Sequence, residues 1–127
     1  MTGSRRPTDG GILLIVDDEH PVCFALERML RRDYRQVFTA FGPDDAAAIL
    51  EAHPVTHVVC DHWLGPGLPL GIDLIPRWRR RHRTIERAVV LTGADVSGIN
   101  PPPEVDRVLS KTEDPTRLRL LLLREDP

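Results

Sequence analysis

The 127-residue sequence is poor in cysteine, in net charge and in long hydrophobic runs. Its two cysteines, Cys23 and Cys60, lie in apolar surroundings without the spacing of a metal site. They predict buried thiols in a reduced protein rather than a disulfide framework. Seventeen Lys and Arg residues nearly balance nineteen Asp and Glu residues, so the net charge of −2 gives no general attraction to nucleic acid or to an anionic membrane.

No apolar segment is long enough to span a bilayer, and residues 1–10 lack the apolar stretch of a signal peptide. We therefore expect a disordered leader over residues 1–10, no membrane association and a cytoplasmic location. The remaining length suits one domain with a single core, expected over residues 11–125.

Short apolar runs alternate with helical patterns along the chain. Ile12–Val16 is apolar at every position, which is typical of a buried central strand in a parallel sheet. Further strands are predicted at 37–40, 55–60, 88–91 and 105–109. Helices are predicted from Pro21, Gly42 and Ile72, and a leucine-rich helix capped by Asp114 or Thr112 follows the last strand. The alternation predicts a doubly wound α/β sandwich.

The pattern fails between the fourth and fifth strands. Residues 97–103 end in three consecutive prolines, each of which lacks a backbone donor and restricts the residue before it. We predict a very short crossover helix or an extended polyproline-like segment there. Pro76 falls within the third predicted helix, so it must lie near the first turn or kink that helix.

Polar side chains follow four apolar strands at their carboxyl ends. They are Asp17 and Asp18, Asp61, Thr92 and Lys111. Each residue by itself could simply end its strand. In an open parallel sheet, however, these strand ends converge on one edge, where ligands bind. Four such positions on one edge indicate a site.

Three carboxylates at close range repel one another. At about 4 Å and an effective dielectric of about 20, each pair costs about 4 kcal/mol, so either a proton is retained or a cation is bound. Oxygen ligands with open positions favour Mg²⁺, which bridges to phosphate oxygens. A carboxylate in such a site can attack phosphorus to form an aspartyl phosphate, with Lys111 and the Thr92 hydroxyl at the phosphoryl oxygens.

Four segments in this order resemble the receiver domains of bacterial two-component response regulators: ILLIVDDE (12–19), VVCD (58–61), VVLTGA (89–94) and VLSK (108–111). The resemblance covers roughly residues 11–125 and implies a flavodoxin-like parallel sheet of five strands in the order 2-1-3-4-5. It implies that Asp61 is the phosphoacceptor and that Lys111 and Thr92 contact the phosphoryl group. The implied Mg²⁺ ligands are Asp17, Asp18, Asp61 and the backbone carbonyl of Trp63.

The sequence departs from the family pattern where phosphorylation is usually reported. Val108 stands where receivers carry Tyr or Phe, Thr112 replaces a usual proline, and the loop at 65–71 is slightly expanded. The prolines at 101–103 also erode the fourth helix, which normally belongs to the output surface. We therefore expect the chemistry to be intact and the standard output surface to be lost.

The leading hypothesis is a stand-alone receiver that accepts a phosphoryl group from a sensor histidine kinase or a histidine phosphotransfer protein. Its output would be contact with a downstream protein, and it would be no enzyme beyond its own phosphorylation and dephosphorylation. One alternative is an interaction module with a receiver fold that signals without phosphorylation. Others are a receiver excised from a hybrid histidine kinase and a phosphohydrolase, which would usually carry a second acid where Trp63 stands.

For the remaining features of the sequence, a structural role is the preferred explanation. The arginines between 77 and 83 predict a solvated helix face, with an acidic partner or nucleic acid as alternatives. Five leucines between 118 and 123 exceed one core stripe, so one or two could form a homodimer or partner surface. Trp78 is expected in the core and Trp63 at the surface. His62 lies beside the site, and no catalytic role is assigned to it.

Overall fold

The computed structural model describes residues 10–123, and the predicted leader lies outside this range except for Gly10. Five parallel strands form one sheet in the order β2-β1-β3-β4-β5, which confirms the predicted topology. The strands are β1 Ile12–Val16, β2 Gln36–Ala40, β3 His57–Asp61, β4 Arg87–Thr92 and β5 Arg107–Ser110. The helices are α1 His20–Leu30, α2 Pro43–Ala52, α3 Gly71–Arg81 and α4 Pro115–Leu123.

Helices cover both faces of the sheet because β1 is apolar on both sides. All five of its residues are buried. Leu14 belongs to the core under α2 and α3, together with Leu50 and Trp78. Leu13 belongs to the opposite core, which includes residues of α1 and α4 such as Cys23 and Leu121. The predicted sandwich is therefore confirmed, with β1 buried between β2 and β3.

Helix starts follow the local sequence signals. Pro43 begins α2 and Pro21 lies in the first turn of α1, where a missing backbone N–H is tolerated. The Asp114 carboxylate accepts a hydrogen bond from the backbone N–H of Thr116 at 3.0 Å, so Asp114 rather than Thr112 caps α4. Pro76 lies in the interior of α3 and not near its first turn.

The crossover between β4 and β5 contains a 3-10 turn, Val96–Gly98, and no α-helix. The prediction of a short or absent helix is confirmed. Side-chain contacts hold this segment instead: the Arg79 guanidinium donates to the Glu104 carbonyl and to the Asp106 carboxylate, both at 2.8 Å. The same Asp106 oxygen accepts from the backbone N–H of Ala88 at 2.8 Å. Polar anchoring to α3 and β4 thus replaces helix packing.

The leucine-rich helix buries most of its leucines. Leu118, Leu121, Leu122 and Leu123 are buried, and Leu120 is partly exposed. Trp78 is buried and Trp63 is 56% exposed, as predicted. Both cysteines are free and buried, also as predicted. Between residues 10 and 123, no helix has the length and apolarity needed to cross a membrane.

Candidate functional site

The carboxyl ends of β1, β3, β4 and β5 bring the predicted polar residues to one edge of the sheet. Asp17, Asp61 and Thr92 are buried there, Lys111 is partly buried and Asp18 is exposed. One carboxylate oxygen from each of Asp17, Asp18, Glu19 and Asp61 lies within 4.8 Å of the others. The convergence expected from the strand pattern is therefore present in the structure.

Lys111 lies among these carboxylates. Its ammonium nitrogen is 2.9 Å from Asp17 Oδ2, 3.2 Å from Glu19 Oε2 and 3.4 Å from Asp61 Oδ2. Its backbone N–H donates to the Thr92 carbonyl at 2.8 Å, which fixes the residue directly after β5. Burial alone would lower the pKa of Lys111, but its contacts with Asp17 and the charge of Asp61 raise it above the usual range. The lysine therefore stays charged.

One lysine does not neutralise this cluster. Burial and the nearby charge of Asp17 raise the pKa of Asp61 to about 7, although Lys111 opposes the shift. In the absence of another cation, Asp61 is therefore partly protonated near neutral pH. This is the proton-or-cation choice that three adjacent carboxylates were expected to impose.

The donor set fits a hard divalent cation. All four side chains of the cluster are carboxylates, and two of them, Asp18 and Glu19, are exposed and leave room for water. Glu19 had been missed as a member of the site. Its backbone N–H donates to Asp17 Oδ1 at 2.9 Å, and the turn brings its side chain to Lys111. The sequence signal that could have identified Glu19 as a member of the site was its position directly after the Asp17-Asp18 pair.

An open cavity of about 530 Å³ lies over the cluster. Residues from four elements and their loops line it, among them Asp61, Trp63, Leu70, Thr92 and Lys111. The Thr92 hydroxyl accepts a hydrogen bond from the backbone N–H of Ala94 at 3.0 Å. The cavity is therefore acidic at its base and apolar at the side of Trp63 and Leu70.

Similarity to known proteins bears on the family of this chain. No family model matches this sequence. Over 92 residues, or 69% of the chain, it is 35% identical to the hydrogenase transcriptional regulatory protein HoxA of Cupriavidus necator, and it spans 18% of that regulator's length. It is 28% identical to the signal receiver domain of an HD domain-containing protein from Pseudomonas fluorescens, with a TM-score of 0.73 over 98% of this chain and 89% of that one.

A third similar protein is a response regulator from Burkholderia pseudomallei, whose structure contains a phosphorylated aspartic acid, a calcium ion and citrate. It is 25% identical, with a TM-score of 0.72 over 91% of this chain and 69% of that chain. This chain carries a response-regulator receiver domain. The family resemblance drawn from the four motifs is thereby confirmed.

The receiver domain keeps a close contact between its site and the start of α3. The backbone N–H of Gly71 donates to the His62 carbonyl at 2.8 Å. A Cβ atom at Gly71 would lie 2.6 Å from the Asp61 carbonyl oxygen, so a larger residue would push the loop away from the site. Gly65 and Gly67, with φ of 144° and 76°, lie in the turn of the loop that joins His62 to Gly71.

Three predicted features of the receiver domain lie where expected, although their roles stay predictions. Trp63 borders the cavity, as its predicted carbonyl ligand requires. Val108 is half-buried against the core and presents no ring. His62 also borders the cavity; its Nδ1 is buried without a hydrogen-bond partner in residues 10–123, and burial lowers its pKa although Asp73 opposes the shift.

Proposed function

We propose that this receiver domain accepts a phosphoryl group on Asp61 in a Mg²⁺-dependent reaction and signals through contact with another protein. One observation carries the proposal: the Lys111 ammonium lies 2.9 Å from Asp17 and 3.4 Å from Asp61 at the base of an open cavity. A lysine held beside a nucleophilic carboxylate can stabilise the oxygens of an incoming phosphoryl group.

In the proposed reaction, a carboxylate oxygen of Asp61 attacks the phosphorus of a phosphohistidine. The new P–O bond forms as the P–N bond breaks, and the donor histidine keeps the bonding electrons and takes up a proton. Lys111 donates to one phosphoryl oxygen and the Thr92 hydroxyl to another, so that both compensate negative charge on the phosphoryl group. Asp61 must be deprotonated to attack, and because its pKa is raised, a bound cation would increase the ionised fraction near neutral pH.

Asp17, Asp18, Asp61 and the Trp63 carbonyl are the residues proposed to hold Mg²⁺, and Glu19 is a further carboxylate at the same place. When bound, the ion neutralises negative charge on the carboxylates and on the phosphoryl oxygens. The similar protein from Burkholderia pseudomallei, with its phosphorylated aspartic acid and calcium ion, supports this assignment.

The proposed donor is a sensor histidine kinase or a histidine phosphotransfer protein, and the proposed setting is the cytoplasm. No enzymatic turnover is proposed beyond phosphorylation and dephosphorylation of Asp61. The matching regulator HoxA is a transcriptional regulatory protein, and this chain corresponds to a small part of it. The output that we propose for this receiver domain is contact with a downstream protein, with a homodimer as a second form of contact.

Phosphorylation-independent binding is the second candidate. Val108 and the helix-free crossover between β4 and β5 favour it, because both remove parts that usually respond to the phosphoryl group. The complete acidic cluster and the position of Lys111 favour phosphorylation. Beryllofluoride with Mg²⁺ mimics an aspartyl phosphate and separates the two candidates, because only the first requires saturable binding at Asp61.

Incubation with acetyl phosphate and Mg²⁺, followed by mass spectrometry, tests the proposal. We expect one added phosphoryl group on the peptide that contains Asp61, and none in the variant Asp61→Asn. Asp73→Asn is the matched control, because Asp73 is exposed on α3 outside the cluster. Phosphorylation of Asp61→Asn, or none of the wild type, would reject the assignment.

A further inference from the structure

The cavity over the carboxylate cluster contains one carboxylate to which the proposed reaction gives no role. The Glu19 side chain lines the cavity and is 62% exposed, and its Oε2 atom lies 3.2 Å from the Lys111 ammonium. The backbone N–H of Glu19 donates to Asp17 Oδ1 at 2.9 Å, so the turn at Asp17 holds the residue beside the lysine. Glu19 therefore lies next to the ammonium that an incoming phosphoryl group has to reach.

Glu19 keeps the cavity negative. When Asp61 is ionised, the cluster carries four negative charges, one on each carboxylate. Lys111 is the one lysine or arginine of residues 10–123 that lines the cavity, so three negative charges remain uncompensated. A divalent cation at the proposed site would leave one negative charge. Because the other three carboxylates are the proposed ligands of that cation, the remaining charge can be assigned to Glu19.

A phosphoryl donor must come close to this charge. A phosphoryl oxygen that accepts a hydrogen bond from Lys111 lies about 3 Å from the ammonium nitrogen. Since Glu19 Oε2 is 3.2 Å from the same nitrogen, the two oxygens are at most about 6 Å apart. This separation is shorter than the Debye length of about 8 Å at physiological ionic strength, so salt screens the repulsion only in part.

We propose that Glu19 selects phosphoryl donors by charge, a selectivity that rests on the proposed function: it slows transfer from small dianionic donors more than from monoanionic ones. Glu19 would act through its electric field and not through contact with the reacting atoms. Coulomb repulsion is proportional to the charge of the donor. Loss of the Glu19 charge should therefore accelerate a dianion by the square of the factor for a monoanion, whereas a purely structural role would change both rates equally.

Two small donors with different charges test the proposal. Acetyl phosphate is a dianion near neutral pH, and phosphoramidate, which has a P–N bond like that of phosphohistidine, is a monoanion. In either reaction Asp61 attacks phosphorus, and acetate or ammonia leaves with the bonding electrons. With Mg²⁺ saturating for each variant, we expect Glu19→Gln to raise the rate constant by about twofold for phosphoramidate and by about fourfold for acetyl phosphate. Mass spectrometry measures both, and added sodium chloride should reduce both increases.

Two variants serve as controls. Glu19→Asp retains the charge, so the ratio of the two rate constants should stay near that of the wild type. Glu113→Gln removes the same charge from an exposed residue two positions after Lys111, and Glu113 is not among the residues that line the cavity. Glu113→Gln should therefore leave both rate constants unchanged.

A binding measurement tests the same charge selection without phosphoryl transfer. Lys111 is the only lysine in the sequence, so isotope labelling of lysine gives a single reporter signal. Sulfate, a dianion, and methanesulfonate, a monoanion, are titrated at constant ionic strength with Mg²⁺ present. We expect Glu19→Gln to bind sulfate about fourfold and methanesulfonate about twofold more tightly than the wild type.

Several results would overturn charge selection by Glu19. They are equal acceleration of the two donors in Glu19→Gln, unchanged rate constants, equal gains in affinity for the two anions, and the absence of any shift of the Lys111 signal. If neither donor phosphorylates the wild type, the proposed phosphorylation is rejected. The two titrations then still decide whether Glu19 selects anions by their charge.

Discussion

The two edges of the sheet treat buried charge in opposite ways. At the amino edge, Asp33 is 1% exposed, and both of its carboxylate oxygens accept hydrogen bonds from the Arg119 guanidinium, at 2.8 and 2.9 Å. At the carboxyl edge, four carboxylates meet one lysine. The first arrangement is paired with good geometry, whereas the second keeps an excess of negative charge.

This difference separates stability from function. A bidentate carboxylate–guanidinium pair connects the 3-10 turn Arg31–Asp33, which follows α1, to α4 and stabilises a single arrangement. The excess carboxylates destabilise the protein without a ligand, and binding of a cation removes that cost. The balanced edge, with Asp33 and Arg119, thus maintains the fold. The unbalanced edge, with the four carboxylates and Lys111, can bind a cation.

The largest expected effect is at the balanced edge. Arg119→Ala removes two charge-assisted hydrogen bonds from a carboxylate that is almost fully buried. We expect the free energy of unfolding to fall by about 3 kcal/mol, because the buried Asp33 carboxylate loses both hydrogen bonds from the Arg119 guanidinium. Urea denaturation near neutral pH measures the change. Arg117→Ala is the control, because Arg117 is exposed and lies two residues before Arg119 on α4. Equal losses of stability in the two variants would contradict the comparison.

A smaller effect of opposite sign is expected at the unbalanced edge. Asp61→Asn removes a charge that is 6% exposed and lies near Asp17. We expect the metal-free variant to be more stable than the wild type by about 2 kcal/mol at about pH 8. Urea denaturation with a chelator present measures this gain. A loss of stability in the variant would show that Asp61 is already compensated.

The gain should depend on pH in a definite direction. The pKa of Asp61 is raised in the folded state to about 7, from 3.8, so the folded protein binds the proton more tightly than the unfolded chain. The contribution of Asp61 to stability therefore falls as pH rises between these two values, and the difference between the wild type and Asp61→Asn grows over the same window. With Mg²⁺ added, the difference should shrink or reverse, because the ion binds the folded wild-type site more tightly than the site that lacks the Asp61 carboxylate.

The smallest effect is expected from Glu19. Its side chain is 62% exposed, although it lies 3.2 Å from the Lys111 ammonium. Glu19→Gln should leave the unfolding midpoint nearly unchanged, since exposed ion pairs contribute little. Because one negative charge leaves the cluster, Mg²⁺ affinity measured by calorimetry should fall by about threefold. Asp45→Asn, exposed on α2, should change neither quantity.

Most of the architecture was predictable from local pattern. The run Ile12–Val16, the Gly and Pro signals and the alternation of periods predicted the sandwich, and the prolines at 101–103 predicted the missing helix. Boundaries were less accurate. The third and fifth strands begin at His57 and Arg107, two residues later than predicted. Just before the third strand, the Thr56 hydroxyl accepts a hydrogen bond from the backbone N–H of Ile12 at 3.0 Å, so a side-chain contact stands there instead of regular strand pairing.

Much of the site was also predictable, because strand topology fixes which residues share an edge. Asp17, Asp18, Asp61, Thr92 and Lys111 all reach the expected edge. Glu19 did not follow from the strand pattern, since its position depends on the turn at Asp17. The pairing of Asp33 with Arg119 was not predictable either, because 86 residues separate them in the sequence.

The sequence by itself determined the order of the elements, the acidic residues at the strand ends and the lysine that follows β5. Tertiary structure alone decided how many carboxylates surround that lysine, which buried acid has an arginine partner, and that the exposed Glu19 carboxylate lies beside the lysine in the cavity. The physical reason is that backbone preference and periodicity act within one element, whereas charge balance and surface shape depend on side chains that packing brings together from distant parts of the chain.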